Sequence, residues 1–245
     1  MHEHELWFTA LLNDHLASLG NTTLSWVGTR AENPARPWSN FIAMEILVAL
    51  VILVVFALLR PRLSVDRPGG LQHCFELVYL FLRNTAAEVV GHSGPRCMAY
   101  FGTVFIFILF SNLLGIIPTF ESPTMFAAVP LGCALATFCY YNLMGFREQG
   151  LAGYLKHFAG PMPLLAPLMV PVELISHLSR PLSLTIRLYA NMYAGEQVTL
   201  AFIGIVPLVI PVAFMGLHIF VAFLQAFVFT ILTMVYVAGA VEHEH

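Results

Sequence analysis

Five apolar stretches, separated by short polar or proline-containing breaks, set out the plan of this chain. The first runs from Trp38 to Leu59 and contains FIAMEILVALVILVVFALL, which as a helix is long enough to cross about 30 Å of hydrocarbon. Met98 to Pro118 and Thr124 to Phe146 repeat the pattern, with Pro118 and Pro123 bracketing a turn between them. Between the first and second stretches, residues 71–91 (LQHCFELVYLFLRNTAAEVVG) set Leu71, Phe75, Val78, Tyr79 and Leu82 beside His73, Glu76, Arg83 and Glu88. That mixture is too polar to span and amphipathic enough to lie along a membrane surface, and Gly94-Pro95-Arg96 ends it. Residues 1–37 alternate polar and apolar clusters around Asn33-Pro34 and Arg36-Pro37, which predicts a short interfacial helix and a loop.

The region from Pro161 to Leu200 is different. Forty residues of helix extend about 60 Å, twice the hydrocarbon thickness, and no polar turn divides them. Pro171 and Pro181 can kink a membrane helix without ending it. A single long, strongly tilted helix is therefore expected, with Pro207 and Pro211 marking the bend into a second one over roughly Val212 to Val241.

Composition agrees with this plan: 58% of the 245 residues are hydrophobic and only 10% are charged, which excludes an ordinary soluble domain. The expected fold is an all-α polytopic membrane protein with about five membrane-embedded helices and one amphipathic surface helix, the last two helices long and tilted. An outer-side segment, 1–37, precedes a membrane-embedded domain, 38–245. Arg60, Arg62 and Arg67 follow the first span, and Arg147, Lys156 and His157 fall on the same side, so the positive-inside rule puts the N-terminus outside and the C-terminus in the cytoplasm. The N-terminus has the order of neither a secretory signal nor a transit peptide, so Met1 is expected to begin the mature chain. Cys74, Cys97, Cys133 and Cys139 lack metal-ligand spacing and are expected to be free, buried thiols. The His- and Glu-rich ends are expected to be hydrated tails, not metal sites.

The candidate chemistry lies within Glu173 to Glu196, ELISHLSRPLSLTIRLYANMYAGE. A charge at mid-bilayer costs about 2.5–3.5 kcal/mol on insertion scales, so such residues face protein or water. At about 100° per residue, Glu173, His177, Arg180, Leu184, Arg187 and Asn191 form one narrow seam, with Ser183 and Ala190 beside it. Small neighbours let another helix come close. Glu196 is nine residues beyond Arg187 and points about 180° away on a continuous helix. His218 and Gln225, seven apart, share a face of the last helix. Asn112 is a buried amide that needs partners, Glu121 sits at the outer surface, and Glu45 lies near headgroup water at the outer end of its span. Each polar residue also has a structural reading: Arg187 as a helix-pairing cation, His177 and His218 as interhelical hydrogen-bonders, Asn191 and Gln225 as structural amides, and Tyr140, Tyr141, Tyr189 and Tyr193 as packing. Arginine stays protonated and can gate ions but not relay a proton, whereas carboxyl and imidazole groups can exchange one. No nucleophile–base pair, phosphate loop, cofactor motif or basic tract for nucleic acid is found. An ion path is favoured over enzyme chemistry, and no cofactor or metal is expected.

Three segments, SNLLGIIP at 111–118, SRPLSLTIRLYANMYAGE at 179–196 and LHIFVAFLQAFVFTILTMVY at 217–236, resemble subunit a of the rotary ATP synthase, over about residues 40 to 240. The resemblance implies a non-catalytic stator subunit in a bacterial inner membrane, with a c-ring and a peripheral-stalk subunit b as partners. It implies that Arg187 faces the ring carboxylate between two aqueous half-channels, with Asn191 and Gln225 beside it and Ser183 as a small polar neighbour. Glu196 and His218 match the pair lining the outer half-channel, in the order that looks bacterial; mitochondrial relatives tend to exchange the two. Glu121 lies near an acidic position of some relatives, and Glu173, His177 and Asn112 are further candidates for channel lining. The alternative, a proton- or sodium-coupled secondary transporter, would be expected to show two similar halves, and the sequence shows no such repeat.

Overall fold

The computed structural model describes residues 6–26, 33–65, 67–117, 120–159, 166–203 and 209–241. Within them all regular structure is helical: α1 (Trp7–Trp26), α2 (Asn40–Leu59), α3 (Gly70–Val90), α4 (Gly94–Leu114), α5 (Ala128–Ala159), α6 (Ala166–Ile203) and α7 (Val209–Val241). Four helical stretches among the described residues, 40–62, 70–114, 128–150 and 212–241, are long and apolar enough to cross a bilayer. The chain is an all-α polytopic membrane protein. The 38-residue α6 falls outside that apolar set because it carries Glu173, Arg180, Arg187 and Glu196.

The expected boundaries shift in places, for local reasons. The N-terminal helix is longer than the short helix expected, at 20 residues, and kinks at Leu16. It is tied to the start of α2 by a reciprocal pair: Asn13 Nδ2 donates to the Trp38 carbonyl at 3.2 Å and the Trp38 amide donates to Asn13 Oδ1 at 3.0 Å. The Trp38 indole donates to the carbonyl of Leu16 at 3.0 Å, a group at the kink. A positive φ at Gly91 (67°) closes α3 and lets the chain turn directly into α4, so the second span begins at Gly94 rather than Met98. A second positive φ, at Gly150 (72°), kinks α5, whose helix continues beyond Arg147 and Glu148. α6 runs through Pro171 and Pro181 without a turn, as its sequence required. α7 starts at Val209, which places Pro211 in the first turn, where its missing N–H has no helical acceptor to lose. Pro207, Lys156, His157 and the His- and Glu-rich ends lie outside the residues or side chains described.

The core sits where α4, α5, α6 and α7 meet, with α3 against it. Phe101, Phe105 and Ile108 of α4 and Leu184, Leu188 and Met192 of α6 recur at helical spacing and are buried. α7 is the central helix, touching α3, α4, α5 and α6. Its buried Thr230 and Thr233 hydroxyls donate to the carbonyls of Ala226 and Phe229, so these two groups are satisfied within the helix. The cysteines are free, but only Cys97 is buried: Cys133 is half-buried, and Cys74 and Cys139 lie on outward helix faces.

Candidate functional site

α6 and α7 run antiparallel, and their register is fixed by four contacts along the pair. Arg180 lies over the ring of Tyr236 (5.4 Å), Asn191 Nδ2 donates to Gln225 Oε1 (2.9 Å), Gly195 meets His218, and Phe202 stacks on Phe214 (4.9 Å). About 22 residues of α6, roughly 33 Å, are thereby paired with α7. The predicted seam proves to be a boundary between two faces. His177 and Leu184 are buried, Glu173 and Arg180 are half-buried, and Arg187 and Asn191 are exposed. Neighbouring helices cover one side of α6 and leave the other open, so residues of one seam meet different surroundings.

Arg187 lies on the open arc. Ser183, Ala190 and Ala194 share that arc, all small and exposed, and among the described residues no carboxylate of this chain pairs with Arg187. Asn191 borders it and is held by Gln225, whose other amide atom, Nε2, is buried and has no partner among the described residues. Leu184, Leu188 and Met192 close the buried side.

Toward the start of α6, the polar residues satisfy one another. Glu173 Oε1 pairs with Arg180 Nη2 at 3.6 Å, and the Arg180 guanidinium also lies 5.9 Å from the centre of the Tyr141 ring. His177 hydrogen-bonds Asn142 Oδ1 at 3.1 Å and meets Tyr141 edge-on, while Asn142 Nδ2 donates to the Phe138 carbonyl at 2.6 Å. Asn142 was not among the sequence candidates, although an amide inside an apolar span signals a need for partners. Tyr141 is a buried packing residue, as expected, and Tyr189 stacks on Tyr193.

Toward the end of α6 the arrangement is open. The His218 ring packs on Gly195, where a Cβ would lie 2.8 Å from both Cε1 and Nε2. Beside it lies a pocket of about 300 Å³ lined by Asn191, Gly195, Val198, Thr199, Phe214 and His218. Glu196 is half-buried on the side of α6 opposite Arg187, and Glu121 of the outer turn is near enough for the two carboxylates to interact. That turn is pinned from behind. Thr124 Oγ1 donates to Asn112 Oδ1 (2.6 Å), Asn112 Nδ2 reaches the Ala222 carbonyl (3.4 Å), and Ser122 Oγ donates to the Ser111 carbonyl (3.0 Å). Asn112 thus finds its partners in a buried network joining α4, the turn and α7. Glu45 is half-buried on α2.

Fold and site together define a polytopic membrane protein that holds ionisable side chains between two long antiparallel helices. The family model for the ATP synthase A chain matches residues 42–238. ATP synthase subunit a of Solibacter usitatus is 62% identical over 235 residues, covering 96% of this chain and all of the relative. That of Koribacter versatilis is 49% identical over 242 residues, covering 99% of each chain. The chain belongs to the ATP synthase subunit a family and is a component of the membrane sector of that complex. Nothing in these relatives supports the secondary-transporter alternative.

Proposed function

We propose that this stator subunit passes protons to and from the carboxylates of a rotating c-ring, is braced by a peripheral-stalk subunit b, and carries out no ATP chemistry itself. Arg187 carries this reading. It is a permanent cation on the open arc of α6, ringed by small residues, with no carboxylate of its own chain beside it among the described residues. A charge in hydrocarbon is costly, so the natural neutralising group is a carboxylate brought by another helix, and Ser183, Ala190 and Ala194 leave room for that helix.

In this reading protons enter from outside past Glu121, Glu196 and His218 and load a ring carboxylate. They travel round with the ring and leave inward on the far side of Arg187, near Glu173 and His177. Arg187 favours the ionised carboxylate and its charge blocks a direct leak. Asn191 and Gln225 hold the adjoining helices in register. One charge crossing the membrane potential yields about 2.3 kcal/mol per 100 mV, so several ions serve each ATP made elsewhere in the complex. Residues 1–37 lie on the outer side and 38–245 form the channel domain, with the C-terminus in the cytoplasm of a bacterial inner membrane. Arg187→Ala in the assembled complex is expected to abolish ATP-driven acidification of inverted vesicles. Pumping at the normal rate by that variant refutes the proposal, and the same assay with and without sodium identifies the coupling ion.

A further inference from the structure

The turn that carries Glu121 is held from two directions. After Glu121 the chain is fastened to α4: Ser122 Oγ donates to the Ser111 carbonyl at 3.0 Å, and a Cβ at Gly115 would lie 2.6 Å from the Ser122 Cβ. Only a glycine lets the turn fold back so closely. Before Glu121, the Phe120 amide donates to the Ile117 carbonyl at 3.0 Å, and the Phe120 ring lies against that of Trp7, with centroids 6.1 Å apart. Trp7 is the first residue of α1. Glu121 thus stands between one neighbour fixed by α4 and another that rests on α1.

α1 meets that turn from a fixed base. The Leu6 amide, next to Trp7, donates to Oδ1 of the buried Asn40 at 3.4 Å, at the start of α2. Asn13, also buried, exchanges two hydrogen bonds with the Trp38 backbone. Farther along, Gly20 comes so close that a Cβ there would lie 2.8 Å from the Pro37 ring. Contacts at positions 6, 13 and 20 hold the helix along its length, and buried amides with their groups engaged hold most firmly. Trp7 itself is exposed and lies outside the core, so its contact with Phe120 serves the turn more than it serves core packing.

We infer that α1 braces the proton entry, with Trp7 as a positioning residue that acts through Phe120 to set where the Glu121 carboxylate stands relative to Glu196. Phe120 and Glu121 share a backbone, so a ring released from Trp7 frees the carboxylate beside it to move. The inference rests on the reading that protons enter past Glu121 and Glu196.

ATP-driven acidification of inverted vesicles, with rates expressed per assembled complex, tests it. Misplacing a reacting group by 1 Å can cost about 10² in rate, and the turn keeps its fastening to α4, so Trp7→Ala is expected to slow pumping about fivefold. Trp7→Phe keeps a ring against Phe120 and is expected to retain most of the parent rate. Phe120→Ala removes the other ring, is expected to give the same loss, and takes the place of Trp7→Ala should that variant fail to assemble. Glu121→Gln is expected to be slow as well, and adding Trp7→Ala to it is expected to slow it no further, because both changes act on one carboxylate. A double variant whose loss is the product of the two single losses overturns the inference, as does Trp7→Phe as slow as Trp7→Ala. Trp7→Ala at the parent rate beside a slow Glu121→Gln also overturns it, while leaving the entry reading intact. Glu121→Gln at the parent rate instead removes Glu121 from the path, and the brace with it.

Discussion

The polar clusters on either side of Arg187 are built along one helix, α6, yet in opposite ways. On the N-terminal side, Glu173 and Arg180 pair, two tyrosine rings flank the guanidinium, and His177 is hydrogen-bonded to Asn142. On the C-terminal side, Glu196 and His218 have neither an ion pair nor a hydrogen bond among the described residues, and a pocket opens beside His218. A polar group locked to a neighbour contributes to structure; one without an internal partner keeps its hydrogen-bonding capacity for another molecule. The contrast teaches that residue type alone does not mark a proton path. Surroundings decide, and among the described residues the C-terminal cluster is the one left without hydrogen-bond or ion-pair partners.

The largest effect that sharpens this contrast is expected at Glu196. Glu196→Gln keeps the shape and removes the titrating group, so proton pumping is expected to fall by up to about 10² while remaining coupled to ATP hydrolysis. Pumping rates in vesicles measured across pH check this. A variant that matches the parent rate at every pH takes Glu196 out of the path and removes the distinction between the two clusters.

A smaller loss is expected from Gly195→Ala, which replaces no ionisable group. The added methyl would fall 2.8 Å from the His218 ring, so the imidazole must shift. Misplacing a reacting group by 1 Å can cost about 10² in rate, and a shift of a few tenths is expected to cost about 10-fold. Relieving the crowding with His218→Ala in the same chain would restore none of the rate if the imidazole itself is needed. Full recovery in the double variant would mean that His218 merely fills space.

Much of this was legible in the sequence because hydrophobic length and the lack of breakers have direct structural consequences. The uninterrupted run around Pro171 and Pro181 specified a single helix, and nine residues of helical rotation separated Arg187 from Glu196. The seven-residue spacing of His218 and Gln225 likewise put both on one face of α7, which the structure turns toward α6. The split of the seam into buried and open halves was not legible, because it depends on how far α5 and α7 cover α6, a property of packing between distant segments. The seat of His218 on Gly195 and the partnership of Asn142 with His177 were hidden for the same reason: one helix does not reveal what another brings to it. Glu121 could be placed only at the outer surface, since the pinning of its turn by Asn112 and Thr124 joins residues 12 apart in the chain with α7 more than 100 further on.

The smallest effect is expected on the locked side, and it puts the comparison most at risk. Glu173→Gln removes the charge that faces Arg180 but keeps the tyrosine rings around the guanidinium. Both side chains are about one-third exposed (28% and 34%), so solvent screens the pair and its loss is expected to cost about 1 kcal/mol or less in stability. If this pair serves structure, coupled pumping stays within about twofold of the parent and the thermal midpoint of the purified complex drops slightly, by a few degrees at most. Arg180→Gln should then give a similar drop. If instead the carboxylate handles protons on their way out, Glu173→Gln slows pumping as strongly as Glu196→Gln while the midpoint hardly moves. That pattern would make the two clusters equivalent in function despite their different construction, and the ion pair at rest would then be a closed state of the exit.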